Sequence, residues 1–177
     1  MGRSLPAHSH PLIVTARLDR VNQKHFDELR EQHFPPERNH LSAHLTMFHA
    51  LPVDAIEEVR EVLAHVAGRT CALSAKVSGL RSLGNGVAFT ICSPGLERVR
   101  REIAEAFHAR LTPQDGQRWR PHITIQNKVS RESAQELMAN LQAGFQPWTV
   151  SLEGLDLWQY NGGPWEFSRC FRFGISQ

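Results

Sequence analysis

The feature that most constrains the fold is an order of strand and helix signals that occurs twice along the 177 residues. V-S-G-L ends at Leu80 and L-E-G-L ends 75 positions later, at Leu155, while an Asn-Gly pair occurs at 85–86 and again at 161–162. Offsets this similar are typical of an internal repeat with small insertions. We therefore predict a single domain over residues 1–177, made of repeat one (about 11–86), repeat two (about 87–163) and a final strand (164–175).

Hydrophobic periodicity predicts the individual elements. Alternating, β-branched segments predict strands at 12–18, 43–51, 71–83, 87–91, 120–127, 148–160 and 165–173. Apolar stripes predict helices from about Asn22 to Pro35, from Asp54 (in a capping box with Glu57) to Gly68, from Ser93 to Leu111, and from Ser130 to Gly144. The predicted class is α+β, a bilobal arrangement of duplicated βαβ-type repeats with antiparallel sheets and a pseudo-twofold cleft between the lobes.

The composition is that of a folded protein. Hydrophobic residues make up 41% and charged residues 21% of the chain, and the formal net charge is +2. This charge is small for a protein that coats duplex nucleic acid, and no apolar run approaches the roughly 20 residues that cross a bilayer. The first residues also lack a secretory apolar segment. We expect a soluble, cytoplasmic monomer with no membrane association and no protein partner.

Two short segments carry the most specific chemical signal. His-Leu-Thr-Met at 44–47 and His-Ile-Thr-Ile at 122–125 share the pattern His, apolar, Thr, apolar. Because strand side chains alternate between faces, each His shares a face with its Thr. If the two lobes pack about a twofold axis, these faces can meet across one cleft. The alternative for either segment alone is a strand histidine satisfied by hydrogen bonds to its neighbours.

Two imidazoles and two hydroxyls around one small volume suit phosphoryl transfer. One neutral imidazole removes a proton from water or a ribose hydroxyl, and the other, protonated, delivers a proton to the departing oxygen. Each threonine hydroxyl can stabilise charge on a non-bridging phosphate oxygen. The sequence offers neither an acidic cluster for Mg²⁺ nor closely spaced cysteines (they stand at 71, 92 and 170), so we expect no metal and no cofactor.

These residues resemble the two-histidine (2H) phosphoesterases, which include the 2′-5′ RNA ligase-like proteins and the RNA 2′,3′-cyclic phosphodiesterases. The resemblance implies that His44 and His122 are the catalytic pair and that Thr46 and Thr124 bind the substrate phosphate. It implies metal-independent opening of 2′,3′-cyclic phosphates, at RNA ends or on small nucleotides, to 2′-phosphates. The reverse reaction would be 2′-5′ RNA ligation.

The resemblance is incomplete at three positions and leaves the roles of the histidines open. Met47 and Ile125 stand where many members have Leu, and Asn127 stands where Arg is frequent. We assign His44 as the acid toward the 3′-oxygen and His122 as the base toward water.

Several further residues are candidates with structural alternatives. Arg120 stands two residues before His122 and is either a phosphate ligand or a solvated arginine. Four aromatic residues either stack on a base of the substrate or pack in the core and the last hairpin: Phe48, Trp158, Tyr160 and Trp165. Strand alternation places Phe48 on the face of His44 and His49 on the opposite face. The segment 98–101 is expected to be a solvated basic face of a helix.

A second class of function is compatible with the same residues. A non-catalytic RNA-end or nucleotide-binding module could retain the cleft without performing chemistry. Binding alone does not require two imidazoles, so the enzyme is the favoured interpretation.

Overall fold

The structure is a computed structural model in which residues 10–174 are described. The prediction that no secretory segment is present concerns residues 1–9, which lie outside the described residues. Residue 175, the end of the predicted final strand, also lies outside them.

Residues 10–174 contain seven strands and five α-helices, of which all but the short helix Pro113–Gly116 were predicted and follow the predicted order. The strands are β1 (Leu12–Leu18), β2 (Leu45–Leu51), β3 (Leu73–Ser82), β4 (Val87–Cys92), β5 (His122–Gln126), β6 (Trp148–Tyr160) and β7 (Trp165–Arg172). The helices are α1 (Arg20–His33), α2 (Ile56–Gly68), α3 (Pro94–Ala106), α4 (Pro113–Gly116) and α5 (Arg131–Gly144). The mixed helix and strand class is confirmed, and every pairing between these strands is antiparallel.

The strands form one sheet that closes on itself through β6, rather than separate sheets. Along one edge β6 pairs with β1, and along the other it pairs first with β3 and then with β7. The order β1-β2-β5-β4-β3-β6 therefore returns to β1 as a barrel-like ring, and β7 extends from β6. Closure leaves few unpaired strand edges. The shortest strand pairing in the described ring is that between β2 and β5, which has one paired position, Leu45 with Ile123.

Helices cover the sheet and complete the core. Helix α1 packs against β5, α5 against β3 and β4, and α2 against α3, β6 and β7. Ser93 and Ser130, at which the two helices were predicted to begin, cap α3 and α5, and each side chain accepts a hydrogen bond from the backbone N–H three residues later. Of the helices in residues 10–174, none is long and apolar enough to cross a membrane.

The predicted capping box of α2 is wrong. A 3₁₀ turn at Val53–Ala55 precedes the helix, so α2 begins at Ile56 and Asp54 lies outside it. The Asp54 carboxylate accepts instead from Arg110, 2.8 Å away. Helix α3 ends at Ala106, before the predicted Leu111, because the chain turns into a 3₁₀ segment at His108–Arg110.

A β-bulge in β2 changes which side chains face the site. Thr15 pairs with Thr46 and Val14 with Phe48, so Met47 is an extra residue without a partner on β1. A bulge interrupts the alternation of side chains. Met47 and Phe48 are consequently both fully buried at 0% exposure, whereas His49 faces outward. The predicted placement of Phe48 beside His44 and of His49 on the opposite face is therefore wrong.

We predict that Gly86→Ala destabilises the fold. A Cβ at this position would overlap the carbonyl oxygen of Gln126 and the backbone of Asn127, where β4 meets β5. Overpacking of this kind lowers the free energy of unfolding by about 1–3 kcal/mol, which chemical denaturation measures. Gly68→Ala is the matched control, because its Cβ would meet no atom within 4 Å. Equal stability of the two variants would show that the β4–β5 approach is looser than described.

Candidate active site

The two His-x-Thr segments meet where β2 and β5 touch. Leu45 pairs with Ile123, and continuing this antiparallel register by one residue places His44 opposite Thr124 and Thr46 opposite His122. Directly opposite residues have Cβ atoms about 4.5–5.5 Å apart. All four side chains line one cleft of about 830 Å³. The predicted convergence of the two motifs is thus present in the structure.

The two imidazoles are held in the same way. Nδ1 of His44 lies 2.8 Å from the carbonyl oxygen of Ser42, and Nδ1 of His122 lies 2.8 Å from that of Arg120. A carbonyl only accepts, so each Nδ1 carries the proton in these contacts and donates it. In each ring this leaves Nε2 as the nitrogen available to a ligand, either as a base or, once protonated, as an acid.

Burial and positive charge keep both rings neutral at rest. Burial, with smaller contributions from the charges of Arg30 and His122, lowers the pKa of His44 to about 4 despite the hydrogen bond to Ser42. Burial also lowers the pKa of His122, and the Arg81 guanidinium lowers it further. Near pH 7 the resting cleft therefore presents two unprotonated Nε2 atoms.

Arg81 is a site residue that sequence reasoning missed. It extends from β3, and its Nη1 lies 3.5 Å from Nδ1 of His122. Because that Nδ1–H already donates to the Arg120 carbonyl, the guanidinium acts on His122 as a charge rather than as a hydrogen-bond donor. Strand β4 pairs with both β3 and β5 and so places Arg81 near His122, a contact between distant segments that no local pattern in the sequence indicated.

Arg30 anchors the second motif from behind. This α1 side chain is 4% exposed, and it donates from Nη1 to the carbonyl of Thr124 at 2.9 Å and from Nε to Oδ1 of Asn39 at 3.1 Å. A buried guanidinium needs such acceptors to offset its desolvation. The contact fixes the backbone of β5 at the motif and places a positive charge near His44.

Of the four predicted stacking residues, one reaches the cleft. The ring of Trp165 lies 4.7 Å from that of His44, centroid to centroid, and lines the cleft. Phe48 is in the core because of the bulge. Tyr160 is exposed at the end of β6 and is not among the cleft-lining residues. Trp158 also stays out of this cleft, and its Nε1 donates to Thr15 Oγ1 at 2.9 Å.

Arginines give the cleft its charge. Arg120 is exposed and lines the cleft, as does Arg118. Arg100 was expected on a solvated helix face but turns inward, where it donates to the carbonyls of Met47 (3.0 Å) and Asp115 (2.6 Å). Its guanidinium stacks over Phe48, 4.7 Å from the ring centroid. Arg98 and Arg101 remain exposed, as expected.

A His–Asp pair also lines the cleft. Nδ1 of His49 donates to Asp115 at 3.0 Å, and the backbone N–H groups of His49 and Ala50 donate to the same carboxylate at 2.8–3.0 Å. Burial raises the pKa of the Asp115 carboxyl, but these hydrogen bonds outweigh it and hold the pKa below its usual value. The bulge in β2 and the short helix α4 create this pair, and neither was predicted.

A second groove of about 890 Å³ adjoins the cleft and shares His44 and Trp165 with it. Five carboxylates and four arginine or lysine residues line this groove. Across residues 10–174, no group of three or more His, Cys, Asp or Glu side chains is arranged to hold a metal ion.

Comparison with known proteins agrees with the motifs. The family model described as the 2′-5′ RNA ligase superfamily matches residues 18–164. No curated protein matches the chain significantly.

Among solved structures, the similarity to Escherichia coli LigT complexed with 3′-AMP covers 94% of this chain and 99% of the LigT chain, with 13% sequence identity and a TM-score of 0.63. TT0787 of Thermus thermophilus is similar over 94% of this chain and 100% of its own, with 13% identity and a TM-score of 0.67. At such identities the likeness concerns the fold.

We predict that His44 titrates far below an ordinary histidine. In ¹H–¹⁵N spectra of the imidazoles, the neutral ring should be the Nδ1–H tautomer and should become protonated with a midpoint near pH 4. The variant His44→Ala identifies the signal that belongs to His44. The unfolded chain binds this proton near pH 6.5, so stability contributed by His44 is present above that pH and is lost as the pH falls toward 4. A midpoint at or above 6.5 would contradict the described burial.

Proposed function

Since the chain belongs to the 2′-5′ RNA ligase superfamily, we propose that it is a metal-independent phosphodiesterase. It opens 2′,3′-cyclic phosphates at RNA ends or on small nucleotides and leaves 2′-phosphates. The observation that carries the proposal is the meeting of two imidazoles, each with Nε2 available, and two threonines around one antiparallel pair. Structures of E. coli LigT described as complexes with 3′-AMP, ATP and NADP⁺ support a nucleotide substrate.

The proposed reaction is one displacement at phosphorus. Water attacks the cyclic phosphate, and one imidazole takes its proton at Nε2. The bond between phosphorus and the 3′-oxygen breaks, and the other imidazole, protonated beforehand, gives its Nε2 proton to that oxygen. The products are a 2′-phosphate and a 3′-hydroxyl, and the proton taken from water replaces the one delivered. The same displacement with a ribose 5′-hydroxyl in place of water forms a 2′-5′ bond and leaves the same 3′-hydroxyl.

Three side chains in the cleft suit the phosphate. The hydroxyls of Thr46 and Thr124 share the cleft with the imidazoles and donate to the non-bridging oxygens, where negative charge grows in the transition state. Arg120, exposed at the same cleft, supplies a neutralising charge. Trp165, packed beside His44, offers its ring face to the base of the terminal nucleotide.

The different environments of the histidines favour a particular division of roles. His44 has the more strongly lowered pKa and loses a proton more readily, whereas the pKa of His122 is lowered less. We therefore propose His44 as the base toward water and His122 as the acid toward the 3′-oxygen. This reverses the assignment made from sequence, which had no information on burial.

We propose that the domain is built from two repeats related by an approximate twofold axis. The two repeats, about 11–86 and 87–163 with a final strand at 164–175, are supported by the identical contact that His44 and His122 make with the carbonyl two residues earlier. The pairing of Leu45 with Ile123 lies at the centre of the proposed twofold relation.

We predict that either histidine variant loses most turnover of a nucleoside 2′,3′-cyclic monophosphate. His44→Ala or His122→Ala should lower kcat by roughly 10²–10⁴-fold, because each removes one proton transfer, while Thr46→Ala or Thr124→Ala should cost less. Product separation by chromatography distinguishes 2′- from 3′-phosphates, and excess EDTA in the assay tests metal independence.

His65→Ala is the matched control, since His65 is exposed on α2 away from the cleft. Normal turnover by either cleft variant would reject the acid–base proposal, and full inhibition by EDTA would reject metal independence. If the intact protein binds these nucleotides but turns over no cyclic or 2′-5′ substrate, the nucleotide-binding module is the correct interpretation.

A substrate with sulfur in place of the 3′-bridging oxygen separates the two roles. A thiolate departs without being protonated, so the acid becomes dispensable while the base does not. We predict that this substrate restores much of the activity of His122→Ala, measured by thiol release, and little of that of His44→Ala. Selective rescue of His44→Ala would instead support the roles assigned from sequence.

A further inference from the structure

The cleft carries more positive charge than one cyclic phosphate requires. Four arginines line it against one carboxylate, that of Asp115, whereas a cyclic phosphodiester has a single negative charge. Among the ion pairs of residues 10–174, none involves Arg81, Arg118 or Arg120. Uncompensated cations that line a cleft attract anions. The lining is therefore suited to a ligand with more than one phosphate.

Three of these four arginines already have a contact or a proposed role in the cleft. Arg100 is held by the carbonyls of Met47 and Asp115. Arg81 lies beside the ring of His122, and the proposed function assigns Arg120 to the cyclic phosphate. Arg118 remains as an exposed cation of the cleft.

His49 is a third imidazole of the cleft, outside both His-x-Thr segments. Its side chain is 44% exposed, yet its Nδ1 is fixed by a carboxylate whose own side chain is 1% exposed. The backbone N–H groups of His49 and Ala50 hold that carboxylate in place. The ring is thereby oriented, with Nδ1 committed to Asp115 and Nε2 left for a ligand.

We propose that His49, oriented by Asp115, and Arg118 form a second phosphate subsite. The substrate is then an oligonucleotide end or a 5′-phosphorylated nucleotide rather than an unphosphorylated mononucleoside cyclic phosphate. In the complex, Nε2–H of His49 donates a hydrogen bond to a phosphate oxygen, while Nδ1–H remains hydrogen-bonded to Asp115. This inference rests on the proposed function, whose cyclic phosphate it extends by one group.

The charges around His49 favour this side of the site. The four arginines face the same cleft as His49, together with the neutral rings of His44 and His122, and Asp115 is the carboxylate among them. The adjoining groove, in contrast, is lined by five carboxylates and four arginine or lysine residues, so it has no excess of positive charge. A second phosphate would meet a stronger attraction beside His49 than in that groove.

The test compares two substrates that differ by one phosphate, uridine 2′,3′-cyclic phosphate with and without a 5′-phosphate. The intact protein should prefer the 5′-phosphorylated substrate at least tenfold in kcat/KM. His49→Ala and Arg118→Ala should each lower this preference about tenfold, as expected for loss of a charge-assisted hydrogen bond. His49→Lys should retain much of it, because the lysine restores a cation that donates to phosphate.

His65→Ala is the control and should leave the preference unchanged. A purely structural role of the His49–Asp115 pair would lower both rates together and leave their ratio intact, which would overturn the proposal. A preference near one in the intact protein would overturn it as well. The dinucleotide UpU with a terminal cyclic phosphate should show the same dependence on His49.

Binding measurements separate this inference from the proposed function. Calorimetry with uridine 3′-phosphate and uridine 3′,5′-bisphosphate needs no turnover. A tenfold tighter Kd for the bisphosphate that is lost in His49→Ala would support the subsite even in a protein without hydrolase activity. Equal Kd values for both nucleotides would reject the subsite even if cyclic phosphates are hydrolysed.

Discussion

The site depends on one antiparallel contact, the pairing of Leu45 with Ile123 between β2 and β5. An antiparallel pair has a local twofold axis perpendicular to the sheet, so two segments of the same pattern that cross there present the same side chains to one side. His and Thr of one strand then oppose Thr and His of the other. The ring of strands brings β2 and β5 together, since β6 pairs with β1 and β3 and so closes the sheet around them.

The two histidines occupy symmetric positions but differ in pKa because their surroundings differ. Both rings donate Nδ1–H to a carbonyl two residues earlier, but their surroundings are not the same. Burial, and to a smaller extent the charge of Arg30, lowers the pKa of His44, which packs against Trp165, to about 4. Burial, and to a smaller extent the charge of Arg81, also lowers the pKa of His122, but by less. Two groups with unequal proton affinity suit a step that needs one base and one acid.

Much of the fold and the centre of the site could be predicted from sequence. Local sequence patterns predict the alternating elements, the helix starts at Ser93 and Ser130 and both His-x-Thr segments. These features could be predicted because each is determined by residues that are close together in the sequence. The bulge at Met47 does not follow from alternation, so Phe48 and His49 were placed on the wrong faces. Arg81 and Asp115 reach the cleft through contacts between distant segments, which periodicity within one element cannot indicate.

The central claim is that His44 and His122 act on one phosphorus atom in one step. A double-mutant cycle on kcat for a 2′,3′-cyclic nucleotide tests it directly. If the two imidazoles work as a unit, the variant lacking both should be about as slow as the slower single variant, because removing either already disables the step. Losses that multiply in the double variant would contradict the account, since they would mean that each histidine contributes independently.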